Sequence, residues 1–152
     1  MKKIFLLFIF LYTVSFGLNF SVAPTKFELD LKKSTTNEVY IINNTARPLR
    51  LDIYLEAPEG YENNNLDDKI TIFPKVVSVK PGAKQTVRFK VKVDKDMPKG
   101  KYKSLLVFRE RPSDIKNKSQ NKSEGLSTSI TFITEIAIGV TGWIGKKYWQ
   151  VF

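Results

Sequence analysis

The chain has 152 residues, 42% of them hydrophobic and 12% aromatic, which is enough for one domain with a real core and too little for two. It carries 25 Lys and Arg against 15 Asp and Glu, a formal net charge of +10, and contains neither histidine nor cysteine. Those two absences exclude a Ser-His-Asp triad, a thiol nucleophile and any zinc or haem site built on His or Cys, and they leave a sandwich fold without an inter-sheet disulfide.

Lys2-Lys3 precede the apolar run Ile4 to Phe10, and the small residues Ser15 and Gly17 follow. A basic start, a short apolar stretch and small residues at a cleavage site predict a signal peptide over residues 1–17, too short to span a bilayer. Its removal takes away Lys2 and Lys3 and no acid, lowering the net charge from +10 to +8. The remaining chain has no second apolar run of that length, so no integral membrane segment is expected after cleavage.

Alternation of period two dominates residues 18–141, which are expected to form one domain. A first strand is predicted over about Phe20 to Leu31 with a break at Pro24, and a second over Asn37 to Asn43. Leu49 to Glu56 places aliphatic residues at every odd position, the mark of a strand with one wet face. Lys69 to Phe73 and Val76 to Val79 follow, then Val87 to Val93, in which Arg88, Lys90 and Lys92 alternate with core residues. Lys101 to Arg109 and Ser127 to Val140 complete seven or eight strands.

Pro58-Glu59-Gly60, Lys80-Pro81-Gly82 and Met97-Pro98-Lys99-Gly100 supply turn chemistry between them. Short, regularly spaced strands without an amphipathic helix predict an all-β, immunoglobulin-like antiparallel β-sandwich. Ser113 to Gly125 reads SDIKNKSQNKSEG, too polar to repay its ordering entropy, and is expected to be a mobile loop. Residues 142–152 form an aromatic tail containing Trp143, Tyr148, Trp149 and Phe152.

Little else suggests chemistry. Asp67-Asp68, near Glu56, Glu59 and Glu62, is the one acidic cluster, and it has neither the cleft of a glycosidase nor the spacing of a calcium loop. Asn43-Asn44-Thr45, Asn117-Lys118-Ser119 and Asn121-Lys122-Ser123 match the glycosylation sequon. The basic residues are dispersed, without the dense tracts of nucleic-acid binders, so no nucleic-acid partner is expected. A protein that is not an enzyme and needs no cofactor is the reading that remains.

The runs SVAPTKFELDL, NEVYIINNTARPLRLDIYLE, ITIFPKVVSVKPGAKQTVRFKV and MPKGKYKSLLVFRERP, in that order, resemble the N-terminal domain of PapD-like periplasmic pilus-assembly chaperones. The most specific piece is Phe73-Pro74 followed by Val79-Lys80-Pro81-Gly82-Ala83-Lys84-Gln85-Thr86-Val87-Arg88. The resemblance covers about residues 21–140, one immunoglobulin-like domain where that family carries two.

The resemblance implies a bacterial envelope location, periplasmic or secreted. It also implies an exported, pilin-like subunit as partner, and an outer-membrane assembly protein beside it. In that family the last strand of the domain fills a groove in the subunit as an added β-strand. Here the corresponding segment is Ile130 to Ile138, with Ile130, Phe132, Thr134, Ile136 and Ile138 on one face. Lys26 matches by type the first of two basic residues that anchor the subunit's terminal carboxylate; Thr134, Glu135 and Ala137 stand where the second is expected.

Two readings of the last strand stay open on the sequence. Either its apolar face is donated to a partner, or it closes the domain's own core and the protein is a structural or adhesive sandwich. A carbohydrate-binding module using Tyr54, Tyr61, Trp143 or Trp149 as stacking platforms is a third.

Overall fold

The computed structural model describes residues 17–112 and 132–145; the stretch before Gly17 read as a signal peptide, the polar segment 113–125, residues 127–131 of the expected last strand, Ile130 among them, and the tail beyond Gly145 lie outside the described residues. The described residues form nine strands: β1 Phe20–Ala23, β2 Lys26–Asp30, β3 Thr35–Asn43, β4 Leu49–Glu56, β5 Ile70–Phe73, β6 Val76–Val79, β7 Lys84–Val91, β8 Gly100–Glu110 and β9 Glu135–Ile144. They form two packed sheets, β1-β3-β7-β5 and β2-β9-β8-β4-β6. The all-β, immunoglobulin-like sandwich expected from the alternation is the fold observed.

There is one strand more than the sequence pattern counts, because the break at Pro24 separates two strands that belong to different sheets. Pro24 follows a cis peptide bond, as does Pro74, where the chain again crosses between sheets from β5 to β6. Proline offers no main-chain N–H, so a crossing point loses no ladder bond there.

The inward faces meet in one core. Phe20, Val39, Ile41, Val87, Phe89 and Val91 come from the first sheet and Leu51, Ile53, Leu106, Phe108, Ile138 and Val140 from the second. Each such side chain contributes roughly 1.5–3 kcal/mol when fully buried. Phe27 of β2 meets the ring of Phe89 edge-on at 4.9 Å, joining the two sheets without a disulfide.

Turns and loops are tied down by polar side chains. Lys80-Pro81-Gly82-Ala83 closes with the Ala83 N–H on the Lys80 carbonyl at 3.0 Å, and Gly82 takes a φ of 65°, the conformation a type II turn requires at its third residue. Asn43 is 1% exposed and fully satisfied: its amide donates to the carbonyls of Arg47 and Val79 and its oxygen accepts from Thr45. That burial removes the first glycosylation sequon from use, since a sugar acceptor must reach solvent; Asn117 and Asn121 lie outside the described residues.

The long connection from β4 to β5 carries Leu66 into the core at 0% exposure. Its N–H donates to the Ser104 hydroxyl at 2.8 Å, and that hydroxyl donates to Asp67 at 2.5 Å. Asp67 of the acidic cluster is thus a loop anchor, and Asp68 pairs with Lys69 at 3.0 Å.

β7 begins at Lys84 rather than Val87, because Lys84, Gln85 and Thr86 pair with Ile42, Ile41 and Tyr40 of β3. The last strand departs more. It was expected over Ser127 to Val140 and is found at Glu135–Ile144, so Gly142, Trp143 and Ile144, read as the start of the tail, belong to the sheet. Parallel pairing with β2, reaching Asp30 opposite Trp143, holds them there.

Candidate functional site

β9 lies between β8 and β2, but β2 covers only part of it. The parallel ladder starts with Lys26 opposite Gly139 and ends with Asp30 opposite Trp143, whereas β8 pairs along the whole strand from Glu135 to Ile144. Glu135 to Ile138 therefore have a strand on one side only among the described residues.

The direction of the main-chain groups follows from two bonds. The Glu110 N–H donates to the Thr134 carbonyl at 2.9 Å, and the Leu31 N–H to the Trp143 carbonyl at 2.9 Å. Main-chain groups alternate sides along a strand, so even-numbered residues here face β8 and odd-numbered ones face β2. Where β2 is absent, Glu135 and Ala137 turn their N–H and C=O groups to the open side.

The apolar face singled out in the sequence is graded along this edge. Phe132 is 85% exposed, Thr134 and Ile136 are half-buried, and Ile138 is 1% exposed within the core. Ile136 packs against the core without belonging to its buried centre. Ile133, on the opposite face, is 42% exposed.

Lys26 is exposed, faces Gly139 across the ladder, and has its ammonium 3.7 Å from Glu28. The register thus places no basic residue of β9 beside Lys26. Thr134 and Ala137 have no charge, and Glu135 is bound within the domain. The Tyr54 hydroxyl donates to it at 3.1 Å and Arg109 lies 3.6 Å away. Burial, then the bond to Glu135, pushes the Tyr54 hydroxyl above its usual pKa. This bridge from β4 to β9 crosses β8 at Val107, which is 1% exposed although it points away from the main core.

Sequence reasoning passed over the group that closes the sandwich beside the open edge. Glu110 falls on the inward parity of β8 shared by Tyr102, Leu106 and Phe108, the signal that was available, and is 5% exposed. Its carboxylate accepts from the Asn19 amide at 2.7 Å and from Arg47 at 3.2 Å.

The aromatic residues do not form one stacking platform. Tyr54 sits level with Val107 on β8 and Trp143 level with Lys101, six residues and about 20 Å along the strand. Lys101 lies 4.9 Å from the Trp143 ring and Lys103 4.9 Å from that of Tyr61; Trp149 is outside the described residues.

A two-sheet immunoglobulin-like sandwich whose last strand, among the described residues, keeps an open half-edge is the class of domain these features define. Its fold is that of the PapD-like pilus chaperones. The E. coli chaperone DraB superposes with a TM-score of 0.59 at 10% identity, over 82% of this chain and 54% of that one. The structure of the Salmonella enterica SafA pilin in complex with the SafB chaperone matches with a TM-score of 0.61 at 10% identity, over 86% of this chain and 56% of that one. A PapD-like domain of human CEP192 matches with a TM-score of 0.57 at 9% identity, over 90% of this chain and 92% of that one.

The chain thus spans about half the length of the pilus chaperones it matches. No protein-family model and no curated protein matches it by sequence. Chaperones, not enzymes, are prominent among the solved structures it resembles.

Proposed function

We propose that this protein is a chaperone-like binding module of the bacterial envelope that holds an exported, pilin-type subunit by β-strand pairing. The observation that carries the reading is the open half of β9. Main-chain groups of Glu135 and Ala137 offer a ladder, and Phe132 and Ile133 stand beside it exposed. An unpaired edge with apolar neighbours is a template for another strand. Phe132, Thr134 and Ile136 would be the donated face, continued outward by Ile130, with Ile138 as the root fixed in the domain's own core. Lys26 stands at the end of that edge as its one basic residue on β2. The signal-peptide reading supplies the route to the envelope, and an outer-membrane assembly protein would receive the loaded subunit.

Ile138 and Val140, each 1% exposed in the core, favour a second reading in which the last strand serves only its own domain. One experiment separates the two. Phe132→Asp alters an exposed side chain, and Ala137→Pro removes an N–H on the open side while leaving the bonds to β8 in place. Under the proposed function both variants fold and lose a subunit that co-purifies with the wild type from the envelope. In the complex, the amides of Glu135 and Ala137 become protected from hydrogen exchange. Retention of the same partner by both variants ends the strand-pairing reading.

A further inference from the structure

The two outer faces of the sandwich differ in charge. On the β2-β9-β8-β4-β6 sheet the outward residues of the strands balance: Lys26, Arg50, Lys101, Lys103 and Arg109 against Glu28, Asp30, Asp52, Glu56 and Glu135. On the other sheet the outward charges are Lys84, Arg88 and Lys90 of β7 and a single acid, Glu38 of β3.

That acid is spent locally. Glu38 accepts from Arg88 at 2.7 Å and from the Tyr40 hydroxyl at 3.1 Å, and these two bonds hold the carboxyl below its usual pKa. The Lys84 ammonium stacks on the Tyr40 ring at 3.7 Å, and Lys90 has no acid partner among the described residues. Apolar groups stand among these cations. Phe73, 77% exposed, is in register with Arg88, and Ile42, 41% exposed, is in register with Lys84.

Lysines commonly guard the edges of sheets against unwanted pairing. That explanation does not reach β7, which lies between β3 and β5. Recognition of a shaped acidic protein favours arginine forks, yet the one guanidinium here already holds Glu38. What remains is a face of flexible ammonium groups with an aromatic side chain projecting beside them, the chemistry of an interfacial surface facing anionic lipid.

We propose that the outer face of the β1-β3-β7-β5 sheet rests on an anionic phospholipid surface, with Lys84 and Lys90 at the headgroups and Phe73 reaching below them. This surface is separate from the open half of β9 and does not depend on strand pairing.

The test is sedimentation of the full chain with vesicles of phosphatidylcholine, with and without phosphatidylglycerol. Lys84→Glu/Lys90→Glu is compared with Lys101→Glu/Lys103→Glu, which makes the same change in net charge on the other face. The first pair lowers partition onto the anionic vesicles by at least about tenfold and the second by less than about threefold; Phe73→Ser lowers it several-fold. Lys84→Gln/Lys90→Gln gives the same ranking with a gentler change, and thermal melts establish that each variant folds.

Equal losses from the two glutamate pairs would reduce the effect to net charge and overturn the proposal. So would vesicle binding that none of these variants changes. Binding of polyglutamate that needs the same lysines, with partition indifferent to Phe73→Ser, would assign the face to an acidic protein instead.

Discussion

The side chain of Leu31 fills the space above Gly142: a β-carbon at position 142 would meet Leu31 Cδ1 at 2.5 Å. This contact seats the residue after β2 against the carboxyl-terminal half of β9, where the Leu31 N–H also bonds the Trp143 carbonyl. Leu31 is 3% exposed and has little room to retreat. Gly142→Ala is therefore expected to destabilise the domain by about 1–3 kcal/mol, as overpacking of a filled core does. Chemical denaturation of the variant beside Gly139→Ala, where the added carbon meets nothing within 4 Å, checks it.

Ser104 joins β8 to both Leu66 and Asp67. Ser104→Ala leaves the buried Leu66 N–H without an acceptor and is expected to cost about 1–3 kcal/mol. Limited proteolysis within residues 57–69 should accelerate in this variant more than in Asp67→Asn, which keeps the hydroxyl and the Leu66 bond.

Glu110 seals the end of the sandwich through Asn19 and Arg47. Glu110→Ala deprives two donors of their acceptor, with an expected loss of about 1–3 kcal/mol. Glu110→Gln should recover part of it. A double-mutant cycle with Asn19→Ala measures the coupling, and additive losses would mean that the 2.7 Å bond contributes nothing.

Stability should be flat across neutral pH, since there is no histidine to titrate. Glu38 is held below its ordinary 4.5 by Arg88 and then Tyr40, Glu62 by main-chain N–H groups including that of Gly60, and Asp94 below 3.8 by Lys69. Depressed carboxyl groups stabilise the fold above their unfolded values and lose that effect as pH falls through the folded ones. Lys69 is raised above 10.5 by Asp94 and Asp68, Tyr40 above 10.0 by Glu38, and Tyr54 above 10.0 by burial and Glu135. Their contributions are complete below the unfolded values and vanish as pH rises through the folded ones. Thermal melts against pH should decline below about 4.5 and above about 10, and Arg88→Ala should soften the acid limb by releasing Glu38.

Most of the strands were legible because alternation is a local property. Leu49–Glu56 and Val76–Val79 are found where the pattern puts them, and Pro24 breaks the first strand as its missing N–H and fixed φ require. Within the described residues the last strand starts later and runs further than the pattern suggests. Phe132 to Thr134 alternates as well as Glu135 to Ile138, and Gly142-Trp143-Ile144 hardly alternates at all; its partners β2 and β8 decide that it is strand. Glu110 escaped notice because an inward carboxylate declares itself only when Asn19 and Arg47, distant in sequence, are seen around it.

The sequence by itself determined an all-β sandwich, the absence of His- and Cys-based chemistry, and the apolar face that runs from Phe132 to Ile138. Tertiary structure decided which part of that face is open. β2 reaches β9 only after the chain has crossed sheets at Pro24, and its ladder begins at Gly139; Ile138 is buried within the core, while among the described residues no strand faces the outer main-chain groups of Glu135 and Ala137. The reason is physical: alternation sets which way a side chain points, whereas the length of an uncovered edge depends on where a strand distant in sequence begins to pair.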